Sequence, residues 1–199
     1  MSSDLGRSKA EFRLAALKAR KALARQELAE LSEAVMMNVV SSNEYRAAKV
    51  IAAYVAKSHE VATEGIIRHS LKAGKRVLVP VSHPEETSLV FSELRDYDGE
   101  LARGHFGVRE PSAEHLRPVL LDEAELVLVP LVAWDERGYR LGYGKGYFDS
   151  ALARVSKPMT TMGLGLESQM LPRIPEEKHD VPLTAIATEK RVLRFKRRS

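Results

Sequence analysis

The chain has 199 residues, of which 44% are hydrophobic and 29% charged; it is sized for a single domain, residues 1–199, with flexible ends at about 1–6 and 195–199. It contains no cysteine, which excludes a disulfide framework, a thiolate metal site and a cysteine nucleophile. The formal net charge of +4 suits an anionic partner, although much of it sits in the last six residues, RFKRRS, and in the first helical segment.

Residues 8–41 read as two helical segments: Phe12, Ala16 and Leu23, then Leu28, Leu31, Val35 and Val39, recur at spacings near three and four. The apolar run 50–55 reads as a buried strand, residues 63–73 as a helix closed by Gly74, and residues 76–80 as a second strand. Residues 88–94 alternate like a third strand. The stretch 96–118, rich in glycine, proline and charge, reads as a long functional loop or lobe. Leu-Val-Leu-Val-Pro at 126–130 is apolar throughout, as in a sheet covered on both faces. A glycine-rich loop follows, then a helix over 147–155 and further strands over 161–166 and 184–188. Strands alternating with helices in this way predict a three-layer α/β/α sandwich, Rossmann-like, with a largely parallel central sheet. No apolar run approaches the roughly 18 residues that span a bilayer, and the first residues, MSSDLGRSKAEFR, lack the apolar core of a secretory signal. The expectation is a cytoplasmic enzyme with no membrane partner.

The segment 126–149, LVLVPLVAWDERGYRLGYGKGYFD, concentrates the chemistry. Ligands of open α/β sheets bind beyond the carboxyl ends of strands, and this loop leaves such an end. Gly142, Gly144 and Gly146 let backbone approach a ligand closely, and the helix that follows adds a partial positive charge. Arg140 and Lys145 bracket the glycines and suit phosphate oxygens, the first as a fork and the second as a mobile point charge. Asp149, in the first helical turn, is placed to reach a Mg²⁺ bridging such phosphates, or simply to favour the helix dipole. The spacing fits neither the P-loop, which requires Gly-Lys-Ser/Thr, nor the dinucleotide G-x-G-x-x-G.

The string Arg140-Leu-Gly-Tyr-Gly-Lys-Gly-Tyr-Phe-Asp149 resembles the nucleotide-binding loop of the 5-formyltetrahydrofolate cyclo-ligase family. Three other places resemble it too. Lys9 and Arg13, four residues apart on one helical face with Arg20 beyond them, would alone be a solvated basic face; the resemblance makes them the second half of an ATP phosphate clamp. Glu60-Val-Ala-Thr63, alone the start of a helix, resembles the family's Glu-x-x-Thr, which gives Glu60 the amino-pyrimidinone edge of a pterin and puts Val55 near the same pocket. Gly107-Val-Arg-Glu-Pro111 resembles a family turn, with Phe106 before it to pack on the pterin ring. His179-Asp180-Val181-Pro182 resembles the family's C-terminal segment, with Asp180 as a second Mg²⁺ or water-mediated ligand. The resemblance runs roughly from Lys9 to Val192. The chain departs from it at Leu131, where many members have glycine, at Trp134 for phenylalanine, at Phe148 for a second tyrosine and at Thr184 for an aspartate.

The resemblance implies ATP- and Mg²⁺-dependent closure of 5-formyltetrahydrofolate to 5,10-methenyltetrahydrofolate by a monomer, through a phosphorylated imidate. Lys9, Arg13 and residues 140–148 (Arg140, Leu141, Gly142, Tyr143, Gly144, Lys145, Gly146, Tyr147, Phe148) would hold the nucleotide, with Arg140 and Lys145 catalytic. Val55, Glu60, Phe106, Tyr143 and Tyr147 would hold the folate, and Asp149 and Asp180 the metal. Two alternatives stay open: a related ATP-binding protein acting on a non-folate substrate, and a basic RNA-binding protein. Against the latter, aromatics are not interleaved with basic residues in strands. The six histidines form no His-x-x-x-His or His-Glu-x-x-His pattern, and no Gly-x-Ser-x-Gly elbow is present, so a zinc hydrolase and an α/β-hydrolase are set aside.

Overall fold

The computed structural model describes residues 8–177 and 180–195. Of the ends expected to be flexible, 1–6 and 195–199, residues 1–6 and 196–199 lie outside the described residues, as does His179; Phe195 donates its N–H to the Thr184 carbonyl.

The chain opens with α1 (Lys9–Ala22), started by a reciprocal cap: the Ser8 hydroxyl accepts from Glu11 N–H and the Glu11 carboxylate accepts from Ser8 N–H. Next come α2 (Arg25–Ser41) and the short α3 (Asn43–Ala47), which has too few residues to show a period in the sequence. Then follow β1 (Val50–Ala53), α4 (Glu64–Lys72), β2 (Arg76–His83) and β3 (Ser88–Leu94). The stretch read as a lobe holds the hairpin of β4 (Leu101–Arg103) and β5 (Arg109–Pro111), and β6 (Pro118–Val119) follows it. The chain continues with β7 (Leu126–Pro130), β8 (Ala133–Trp134), β9 (Arg140–Leu141), α5 (Tyr147–Ala153), β10 (Thr160–Leu164), β11 (Ala185–Ala187) and β12 (Val192–Arg194).

One sheet runs β12-β11-β10-β7-β1-β2-β3-β6, and its five neighbours β11-β10-β7-β1-β2 are parallel. Antiparallel β3 and β12 flank them. The alternation of side chains along each strand assigns the two faces. On one face Ile51, Ala53, Val77, Val79, Leu126 and Leu128 pack with α2, α3 and α4 through Val35, Val39, Tyr45, Ile66 and Ile67. On the other, Ala52, Leu78, Val127, Val129 and Ile186 pack with Ala151 and Leu152 of α5. The result is the three-layer α/β/α sandwich expected, with a largely parallel sheet. The run 126–130 is apolar throughout because β7 lies centrally with both faces covered. Among the described residues no helix is long and apolar enough to cross a membrane.

Chain order reverses at β1: the chain moves first to β2 on one side, then returns to β7 on the other. Such a switch point leaves a crevice between the carboxyl ends of the two strands, where ligands of open α/β sheets bind.

Candidate active site

A cavity of about 760 Å³ opens at this switch point, a volume suited to a small-molecule site. Its floor is Val55 just past β1, Pro80 within β2 and Pro130 at the end of β7, and its walls are α1, the glycine loop, the β4–β5 hairpin, Glu177 and Asp180. Every residue that the sequence points to as a site residue lines this cavity, although they come from stretches 171 residues apart.

On the α1 side, Lys9 Nζ lies 2.5 Å from Asp180 Oδ2 and 3.2 Å from Glu177 Oε2, and Arg13 Nε donates to the Gly142 carbonyl at 2.7 Å. The first helix is held over the sheet end by Phe12, which packs with Ala133, Leu141 and Ile174. Leu141 is 1% exposed, its side chain packed in this small core while the residue also lines the cavity.

Arg140 is buried. Its guanidinium donates to the Val181 carbonyl and to Asp149 Oδ1, both at 2.8 Å. Burial pushes it below its ordinary range, while the Asp149 and Asp180 charges oppose that shift. The fork expected to face phosphate is thus bonded to the C-terminal segment and to α5. Asp149 receives Arg140 and the Val181 N–H on Oδ1, and Asp180 receives Lys9 and the Glu177 N–H on Oδ2. In each carboxylate one oxygen is anchored; the other takes no donor from the described residues.

The glycine loop turns through Gly144 (φ 91°) and Gly146 (φ 70°), a backbone region open to glycine at little cost. A side chain at Gly144 would also press on Arg13, since a Cβ there would lie 3.2 Å from its Cζ. At Gly142 and Gly146 a Cβ would meet nothing within 4 Å, so bare backbone faces the cavity. Helix α5 has seven residues, ending at Ala153 rather than 155. Phe148 packs against both main cores while also lining the cavity.

On the opposite wall Glu60 is 6% exposed, and its Oε2 accepts from the Lys57 N–H at 2.7 Å. Thr63 begins α4 without capping it by side chain; its hydroxyl donates to the Tyr54 carbonyl at 2.6 Å, locking the end of β1. Phe106 sits at the hairpin tip with φ 55° and 45% of its surface exposed, its ring 6.0 Å from that of Tyr147. The Lys145 ammonium lies 4.0 Å from the Phe106 ring centre, and the Lys57 ammonium 4.8 Å from that of Tyr143. Lys57, Tyr54 and Glu110 line the cavity without having been singled out. Glu110 lies within the string Gly107–Pro111, but Lys57 and Tyr54 carry no motif, and only the return of the chain at Glu60 brings them inward.

The model of the 5-formyltetrahydrofolate cyclo-ligase family matches residues 6–189. A 5-formyltetrahydrofolate cyclo-ligase of Mycolicibacterium smegmatis is 31% identical over 93% of this chain and 95% of its own length. A probable 5-formyltetrahydrofolate cyclo-ligase of Schizosaccharomyces pombe is 34% identical over 82% and 86%. The solved structure of the Aquifex aeolicus 5,10-methenyltetrahydrofolate synthetase superposes with a TM-score of 0.82, at 32% identity over 96% of this chain and 95% of that one. A cavity at the β1–β7 switch point, walled by this glycine loop, thus accompanies likeness along nearly the whole chain, and the chain belongs to the 5-formyltetrahydrofolate cyclo-ligase family.

Proposed function

We propose that the chain closes 5-formyltetrahydrofolate to 5,10-methenyltetrahydrofolate, consuming MgATP and releasing ADP and phosphate. The observation that carries this reading is the meeting, in one cavity, of a cation-lined glycine loop and a buried carboxylate, Glu60, with aromatic rings between them.

The residues fit both groups. Bare backbone at Gly142 and Gly146, with Arg13 and Lys145 beside it, is a cradle for phosphate oxygens. The described residues contain no cluster of three acidic, histidine or cysteine side chains able to cage a metal. Asp149 and Asp180, each with one oxygen that takes no donor from the described residues, instead suit a hard cation that takes one or two carboxylates and fills its shell with phosphates and water. When bound, MgATP supplies an activated phosphoryl group.

An amide oxygen is a poor leaving group, so the formyl oxygen takes the γ-phosphoryl group, forming an O–P bond as ADP leaves. N10 then forms a bond to the formyl carbon and gives up its proton. The carbon–oxygen bond breaks, and phosphate departs. In this reading Lys145 swings from the Phe106 face to the phosphoryl oxygens, where a fixed positive charge counts most as charge shifts. Arg140 and Lys9 hold Asp149 and Asp180 by one oxygen each. Glu60 accepts from the amino-pyrimidinone edge, and Phe106, Tyr143 and Tyr147 cover the ring and exclude water. The rest of the chemistry is positioning.

The test is to mix the protein with 5-formyltetrahydrofolate and MgATP and follow the near-ultraviolet absorbance of the methenyl product. Growth that requires both ATP and Mg²⁺ is expected. A flat trace from folded protein that still binds ATP would shift the assignment to a ligase of another substrate.

A further inference from the structure

Arg20 stands in the last turn of α1 and is 5% exposed. A guanidinium buried this deeply usually faces a carboxylate. Here none of the described carboxylates pairs with it. Instead Nη1 donates to the Leu131 carbonyl just past β7 at 3.2 Å, and Nη2 donates to the Tyr143 hydroxyl at 2.5 Å; Nε is buried without a partner. Arg20 does not itself line the cavity, whereas Tyr143 does.

Donor accounting fixes what this contact does. Guanidinium has no acceptor, so the phenol oxygen accepts and its own proton must point elsewhere. Glu60 lines the same cavity and is felt at the phenol: burial first, and then the Glu60 carboxylate, push Tyr143 up to about 12, with Arg20 opposing. Glu60 is itself fixed from behind by the Lys57 N–H on Oε2. Buried Tyr54, whose hydroxyl donates to the Val61 carbonyl at 2.9 Å, feels the same Glu60, Arg20 and Tyr143 and packs the group closed. Arg20 therefore ties α1 to the chain just past β7 and to the glycine loop at Tyr143, and Tyr143 lines the same cavity as Glu60.

We propose that Arg20 is a positioning residue for folate recognition: it grips the Tyr143 hydroxyl and the Leu131 carbonyl, so the phenol's proton is turned toward Glu60 and that carboxylate is held facing the pterin edge. The inference rests on the placement of the pterin at Glu60 in the proposed function. Its distinguishing consequence is a selective one. Phosphate contacts come from other residues of the loop, so loss of the Arg20–Tyr143 bond weakens folate binding and leaves ATP binding nearly intact.

The experiment is calorimetric titration with 5-formyltetrahydrofolate and, separately, with ATP, together with kcat and KM for each. It compares the wild type with Arg20→Lys, Arg20→Leu, Tyr143→Phe and the double variant Arg20→Leu/Tyr143→Phe. Arg20→Leu and Tyr143→Phe each weaken folate binding about tenfold, the scale of one hydrogen bond to a charged group. ATP affinity stays within about twofold, and Arg20→Lys recovers part of the loss. The double variant is no weaker than the worse single one, because both remove one path. Tyr143→Phe deletes only a hydroxyl and reports even where Arg20→Leu fails to fold. Wild-type folate affinity in Tyr143→Phe, losses that multiply in the double variant, or equal weakening of ATP and folate would each overturn the inference. A wild type that neither binds nor cyclises the folate overturns the proposed function and the inference with it; a competent wild type matched by Tyr143→Phe overturns the inference alone.

Discussion

The turn between β8 and β9 and the stretch from β9 to the first turn of α5 each pair an aspartate with an arginine, and they differ in how much of the carboxylate is used. Asp135 is fully buried, and its two oxygens accept from the N–H groups of Arg137, Tyr139 and Ile174 and twice from the Arg137 guanidinium. Nothing is left for a ligand; that turn is scaffold. Asp149 is half-buried and lines the cavity; one oxygen is held by Arg140 and Val181, and the other takes no donor from the described residues. A saturated carboxylate stabilises the fold, and a half-committed one can serve chemistry. Sequence spacing does not distinguish them, because in both cases the arginine is within ten residues.

Substitutions across the two regions should separate activity from stability. Lys145→Ala is expected to cut kcat/KM about 10³-fold with no change in melting temperature, since the ammonium touches only the exposed Phe106 ring before ligand arrives; steady-state kinetics beside a thermal melt reads both. In the scaffold turn, Asp135→Asn should do the reverse. It removes the charge beside the partly buried Arg137, which keeps Glu176, and turns one fully buried acceptor oxygen into an amide donor, at a cost of about 3 kcal/mol of unfolding free energy, measured by denaturant titration, with the KM values of surviving protein preserved. Asp149→Asn keeps an acceptor for Arg140 but loses the charge offered to a cation. A fall in kcat of about 30-fold, partly relieved by excess Mg²⁺, is expected, with a smaller loss of stability than in Asp135→Asn because the amide oxygen still accepts from Arg140. A shift in stability as large as that of Asp135→Asn would erase the distinction.

The smallest effect lies on the hairpin lobe. There the Arg117 guanidinium holds the Glu100 carboxyl at about 2, well below its ordinary 4.5. Because the folded value is the lower one, this stabilisation is complete above about pH 4.5 and is lost as pH falls toward 2. Glu100→Gln should therefore lose about 1 kcal/mol near pH 7, and the gap from wild type should close on acidification through that window. Melts at a series of pH values measure it.

The strands at 88–94 and 126–130 were legible to the residue, because alternation and an unbroken apolar run are local signals. The edge strand β12 was not, since its order comes from pairing with β11 rather than from any pattern in Val192–Arg194. The site divides in the same way. Glycines 142, 144 and 146 with Lys145 announce themselves in one string. The roles of Arg140 and Lys9 as anchors for carboxylates do not, because their partners, Asp149, Val181 and Asp180, are fixed by tertiary packing. Arg20 looked like part of a basic face; its 5% exposure and its bond to Tyr143 exist only once α1 docks.

The Lys9–Asp180 contact joins residues 171 apart and closes one wall of the cavity. The loop-closure cost of a pairing at that separation favours its forming after the folding barrier is crossed. On that order of events, a ligand that fills the cavity stabilises the native state alone. Saturating nucleotide should accordingly slow unfolding while leaving the refolding rate almost unchanged, so that occupancy lengthens the lifetime of the molecule without hastening its birth.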